Sequence, residues 1–124
     1  AFDLDLAANM TTSVFTLQFI HPSHRQILVD RVYEKLTWGG GFFLFEKVRG
    51  SDARFQDIMT SMHMDWKLNQ GFSEKEVYGK WQSLKGVMEP FSTNGNLTML
   101  RRAGFVDIQT LWQWGPFQGY LAVK

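Results

Sequence analysis

Cysteine is absent from the 124 residues, which excludes disulfides, thiolate zinc sites and thiol nucleophiles and fits a reducing compartment. A dominant charge is also missing. Thirteen Lys and Arg stand against 12 Asp and Glu, so there is no sequence-independent grip on a phosphate backbone, and direct nucleic-acid binding is not expected. No apolar run approaches the ~20 residues of a membrane span, and the opening AFDLDLAANM has two aspartates and no basic segment, so neither an anchor nor a signal peptide is expected. A soluble, cytoplasmic protein without a membrane partner follows as the expectation. Missing, too, is a glycine loop that follows a strand and opens a helix to cradle phosphate. The triplet Gly39 to Gly41 follows a helical pattern and precedes a strand pattern, which reads as a turn.

What is present is aromatic bulk. Five Trp and 11 Phe supply large apolar areas for one core, and the length suits a single domain over residues 1–124, one that buries about two thirds of the surface its unfolded chain exposes. TTSVFTLQFI, residues 11–20, is β-branched and aromatic on both alternating faces and is stopped by Pro22, which predicts a strand covered on two sides. Ser23 and Gln26 have capping-box spacing, and Ile27, Leu28, Val32 and Leu36 follow at helical spacing. After the glycine triplet, FFLFEKV at 42–48 predicts a second buried strand, and a strand-helix-strand unit implies parallel pairing.

From Asp52 onward, Phe55, Ile58, Met59, Met62 and Trp66 form one apolar stripe of a long helix, its methionines assigned to packing. Gly71 ends it. Ser73 with Glu76 then caps a helix carrying Val77, Trp81, Leu84 and Met88. STNGN reads as a turn, LTMLRRAGF as a short helix, and VDIQTLWQW with FQGYLAVK as an antiparallel hairpin around Gly115 and Pro116.

FTLQFIHPSHRQILVDRVYEKLTWGGGFFLFEK, with MHMDWKLNQGFSEKEV and LRRAGFVDIQTLWQW, resembles the second half of a class I S-adenosylmethionine (SAM)-dependent methyltransferase domain. The similarity is greatest to carboxy-SAM synthases, which supply a carboxymethyl donor for wobble-uridine modification in tRNA. The resemblance runs from about Met10 to Lys124. It implies an α/β fold: a partial Rossmann-like methyltransferase sheet, strands 4-5-7-6 of a seven-stranded 3-2-1-4-5-7-6 order, with the last strand antiparallel and helices flanking. It also implies that strands 1 to 3, with the glycine-rich cofactor loop, are not in this chain. SAM or carboxy-SAM would be the cofactor of a full-length form, bound weakly or not at all by this chain alone. The strand at 11–20 would then have an open edge, so the expected partner is a second copy of the chain or the missing amino-terminal half. A non-catalytic oligomerisation module is the alternative to a piece of an enzyme.

The resemblance also assigns candidate residues. Asp3 and Leu4, with Asp5 nearby, lie where the family places an acidic residue against adenine. Val14 stands where the family has an asparagine, next to Phe15, although sheet packing is the plainer account of Phe15 and Phe19. Trp81, preceded by Lys80, occupies the position of an arginine that holds the extra carboxylate. An indole has one donor and no charge, so its place on an apolar stripe reads as core or interface, while Lys80 is able to reach an anion. His63 and Asp65 belong to a polar helix edge near the reaction cleft. His21 and His24 flank a turn without a clear third metal ligand. Glu46 ends a parallel strand, where α/β folds present functional groups, and Trp112, Trp114 and Phe117 read as hairpin core.

Overall fold

The computed structural model describes residues 7–124. Four strands form one mixed sheet: β1 (Ala8–Val14), β2 (Leu36–Lys47), β3 (Asp107–Trp114) and β4 (Phe117–Val123), in the order β1-β2-β4-β3. β1 and β2 run parallel, and β4 is antiparallel to both of its neighbours. The helices are α1 (Pro22–Lys35), α2 (Ala53–Asn69), α3 (Glu74–Ser83) and α4 (Thr93–Ala103). The expected 4-5-7-6 sheet is therefore the one observed.

Alternation along β2 sets the core. Leu36, Phe42 and Leu44 point to one face and are buried against Val29 and Val32 of α1 and Leu100 of α4. Tyr120 and Ala122 of β4 continue this face, with Phe105 stacked on Phe42. The opposite face carries Phe43, Phe45, Leu121 and Val123, which are only half-buried, together with exposed Met10 and Val14. Phe45 lies so close over Gly119 that a β-carbon there would come within 2.5 Å of its ring. Among the described residues β1 is bonded on one side only.

Several elements depart from the sequence-based expectation. The strand expected over 11–20 ends at Val14; Phe15 takes φ +50°, and Leu17–Phe19 is a 3-10 turn. Phe15 and Phe19 are consequently exposed rather than packed in the sheet. Periodicity could not locate this end, because it is set by a carboxylate 28 to 29 residues away. The cap of α1 is His21, whose Nδ1 accepts from the Ser23 N–H, with Pro22 in the first turn where a missing N–H costs nothing. Gln26 bonds instead to Asp30 and the Met99 carbonyl.

The glycine triplet lies inside β2 as a bulge. Ala8 pairs with Leu36 and Met10 with Gly41, so residues 37–40 stand opposite Asn9 alone and that strand carries three extra residues. Gly39 has φ +80°, and a β-carbon at Gly40 would meet the carbonyls of Thr37 and Asn9 at 2.8 and 2.9 Å.

STNGN begins a helix rather than making a turn: Ser92 accepts from the Gly95 N–H and α4 starts at Thr93, since the side chains that form turns also cap helices. In α3 the expected capping box is present on Ser73 and Glu76, but the helix stops at Ser83, short of Met88. The largest departure is α2, which buries no residue fully. Its stripe is amphipathic as expected, yet Phe55, Ile58, Met62 and Trp66 are exposed, Ile58 by 53%. Helical spacing shows that a face is apolar but not what covers it.

Candidate functional site

The carboxyl ends of β1 and β2 lie side by side, the place where parallel α/β sheets present their chemistry. The chain leaves β1 through Phe15, a left-handed conformation that costs a non-glycine residue on the order of 1 kcal/mol and persists only where its surroundings hold it. Those surroundings are specific. The Phe15 N–H still donates to the Phe45 carbonyl at 2.8 Å. The next bonds go to Glu46: its Oε1 accepts from the Leu17 N–H at 3.0 Å and its Oε2 from the Gln18 N–H at 3.1 Å. Gln18 returns a bond to β2, its Oε1 accepting from the Lys47 N–H at 2.9 Å.

Arg25 of α1 closes the turn from below. Its Nε donates to the Ile20 carbonyl at 2.8 Å and Nη2 to the Gln18 carbonyl at 3.2 Å, while the guanidinium lies 4.4 Å from the Phe91 ring centre. Glu46 and Arg25 are each only 2% exposed. Burial raises the Glu46 carboxyl to about 7, against the opposing pull of the backbone N–H bonds and of Arg25. Burial likewise lowers the Arg25 guanidinium, against the attraction of Glu46 and Glu89. Glu46 is thus a structural clamp, with both oxygens engaged inside the protein.

Alternation sends Lys47 to the other side of the sheet from Glu46. There a cleft of about 310 Å³ opens between the end of β2, α2 and α3, lined among others by Lys47, Arg49, His63, Lys67, Trp81 and Lys85. The His63 ring sits in an aromatic cage, 5.0 Å from Phe117 and 6.3 Å from both Trp66 and Trp114. Burial, then Lys67 and Lys47, depress His63 to about 4, so the ring is neutral at physiological pH. The Lys47 ammonium is also lowered, by burial and then by Lys67. Lys85 holds its Nζ 3.8 Å from the centre of the Trp81 ring.

Of the candidates from the sequence, His63 and Trp81 share this cleft. Trp81 is 41% exposed and is a cleft wall, not core. Lys80 is separate, lining a hollow with Lys67, Phe72, Glu76 and Val77. Val14 and Phe15 form the exposed rim of the β1 turn, and Phe15 reaches the His63 cage through an edge contact with Phe117 at 5.6 Å. Asp65 faces the outer groove of α2 beside Ile58, Trp66 and Trp114. Trp112 is exposed and Trp114 and Phe117 are half-buried, so they are not hairpin core; Trp114 and Phe117 instead pack on the His63 ring. Asp3, Leu4 and Asp5 lie outside the described residues. His21 is occupied as a helix cap, and among the described residues no three His, Asp or Glu side chains converge as a metal site.

Sequence reasoning missed Arg25, Arg49, Lys67 and Lys85. Only Lys47 left a signal, because the residue after a strand-terminal Glu must point to the opposite face.

These residues do not by themselves make a nucleoside site. Val14, Phe15 and Phe19 offer an apolar rim, but Glu46 has both oxygens bonded and the Thr16 hydroxyl donates to the Val14 carbonyl. None of the described helices is long and apolar enough to cross a membrane.

No model of a protein family matches the chain. The carboxy-SAM synthase of Staphylococcus epidermidis is 42% identical over 117 residues, which is 94% of this chain and 51% of that protein. That of Campylobacter lari is 32% identical over 112 residues, 90% of this chain and 48% of its own length. The chain therefore spans about half the length of the curated relatives it matches. Among solved structures, human N-acetylserotonin methyltransferase in complex with SAM superimposes with a TM-score of 0.67 at 21% identity, covering 99% of this chain and 31% of that one. PigF with SAH gives 0.65 at 16% identity, with 99% and 32% covered. The chain is a relative of half a carboxy-SAM synthase, and its fold fits the carboxyl-terminal part of a methyltransferase domain.

Proposed function

We propose that this chain is the part of a SAM-dependent transferase, of the carboxy-SAM synthase kind, that supplies the floor and one wall of the reaction cleft. The part of the relatives it does not span would supply most of the cofactor's polar contacts. The sheet order carries this reading: a parallel pair followed by an antiparallel hairpin, β1-β2-β4-β3, is strands 4-5-7-6 of the methyltransferase sheet. A cytoplasmic place in tRNA wobble-uridine modification goes with it, as does carboxy-SAM as the cofactor's specific form.

Calorimetry of the purified chain with SAM should give no saturable heat, since the polar groups at the β1 turn are already bonded within the protein. Micromolar affinity would overturn the division of labour proposed here.

A second reading is supported by the exposed apolar stripe of α2 and the half-covered sheet face. On it the chain is an interaction module, with Val14 and Trp81 in place of polar cofactor contacts. Both readings leave apolar surface to be covered by a second copy or by the remaining half of the domain. Sedimentation of the chain alone at micromolar concentration should therefore show self-association, and a clean monomer would contradict it.

A further inference from the structure

Residues 73–88, which carry α3 and the turn after it, are tied to the rest of the protein almost nowhere. Among the described residues every hydrogen bond they make stays inside the segment: the Ser73–Glu76 capping box, Gln82 to the Tyr78 hydroxyl, Ser83 to the Lys80 carbonyl, and the backbone bonds that close the turn from Leu84 to Met88. The ring contacts, Tyr78 with Trp81 and Lys85 on Trp81, are internal as well. The first bonds to other elements lie just outside each end. The Phe72 N–H donates to the Lys67 carbonyl at 3.2 Å, and the Glu89 N–H to the Gln18 carbonyl at 2.9 Å.

Packing holds the segment little better. Between residues 71 and 88 only Val77 is buried, with Leu84 and Met88 half-buried. Val77 itself lines two hollows, the 310 Å³ cleft and the one of about 340 Å³ that it shares with Lys67, Phe72, Glu76 and Lys80. Gly71, at φ +98°, precedes α3 and Gly86, at φ +72°, follows it, and a β-carbon at either would touch nothing within 4 Å. An element bonded only to itself, with one buried anchor and an unpacked glycine at each end, moves as a unit at small cost.

We propose that residues 73–88 are a hinged lid on the cleft between α2 and the end of β2, turning at Gly71 and at Gly86–Glu89, with Val77 as its latch. Swung out, the lid opens the cleft beside Lys47 and His63; swung in, Trp81, Leu84 and Met88 close its side and exclude water. The second hinge is anchored to the β1 turn, because the Gln18 carbonyl that accepts from Glu89 also accepts from Arg25 Nη2. The motion belongs to this chain and does not depend on the SAM reading, and its test uses no ligand.

Because the chain has no cysteine, nitroxide labels can be placed on introduced pairs and their separation measured by pulsed electron resonance. Lys75→Cys with Gln109→Cys reports α3 against β3, and Glu34→Cys with Gln109→Cys reports α1 against the same point. The α1 pair should give one narrow distance. The α3 pair should give a main distance and a second one, whose share rises at least about fivefold in Val77→Ala because the latch loses two buried methyl groups. Val77→Ala should lower the thermal midpoint by under about 2 °C, against roughly 10 °C for Val29→Ala, since Val29 is fully buried in the core. A single narrow distance for the α3 pair with either residue at 77, or equal falls in midpoint for the two valine variants, would overturn the lid.

Discussion

Glu46→Gln is expected to remove one of two opposing pH dependences from the stability of this protein. The Glu46 carboxyl stands at about 7 when folded, against an ordinary 4.5, so between these values the folded chain holds a proton that the unfolded chain releases. Its contribution is complete below about 4.5 and is lost as the pH rises through about 7. A displacement of this size corresponds to about 3 kcal/mol. His63 works in the other direction. Its folded value of about 4 lies below the ordinary 6.5, so its contribution is present above 6.5 and lost as the pH falls through about 4.

The wild type should therefore vary little between pH 4.5 and 6.5 and weaken just above. In Glu46→Gln only the His63 limb remains, and stability should rise with pH across that range. Glutamine has one acceptor where Leu17 and Gln18 need two, so the variant should also lose roughly 1–3 kcal/mol at low pH. Urea unfolding at pH 5 and pH 8 measures both effects. Parallel curves for variant and wild type would show that Glu46 is not the titrating group.

Arg25→Ala should be the most damaging single substitution at this site. It removes the partner of two buried carbonyls, the positive charge facing Glu46 and the group packed on Phe91. Breaking one side of such a buried set costs about 3–5 kcal/mol, a fall in midpoint of roughly 10–20 °C for a domain of this size. Because the two charges share one turn, the losses should not add. A double-mutant cycle of Arg25→Met and Glu46→Gln should show a coupling of about 1–3 kcal/mol. Additive losses would mean that the residues stabilise the turn independently.

The β1 turn also marks where the sequence stopped being legible. Residues 11–20 are apolar on both faces, and a continuous strand satisfies that pattern as well as a strand followed by a 3-10 turn does. What separates them is Glu46, which captures the Leu17 and Gln18 N–H groups from β2. The outcome was better where the signal was local. The Ser73–Glu76 box is built as expected because both partners lie within one turn of helix, and the β3–β4 hairpin forms around Gly115. The α2 stripe lies between these cases: its period predicted the helix, while its exposure depends on what else packs there.

The candidate site divides in the same way. His63 and Trp81 were singled out one by one, but the cleft that joins them requires α2 and α3 to meet over the end of β2. Lys80, next to Trp81 in sequence, turns away from that cleft because adjacent helical residues point about 100° apart.

By itself the sequence determined the periods of most helices and strands, the Ser73–Glu76 cap and, through its resemblance, the sheet order, because spacing and capping act over a few residues. Only the tertiary structure decided where β1 ends, which lysines gather in one cleft and which apolar faces stay open. Those outcomes rest on contacts between residues far apart in the chain, and a linear pattern carries no record of such distances.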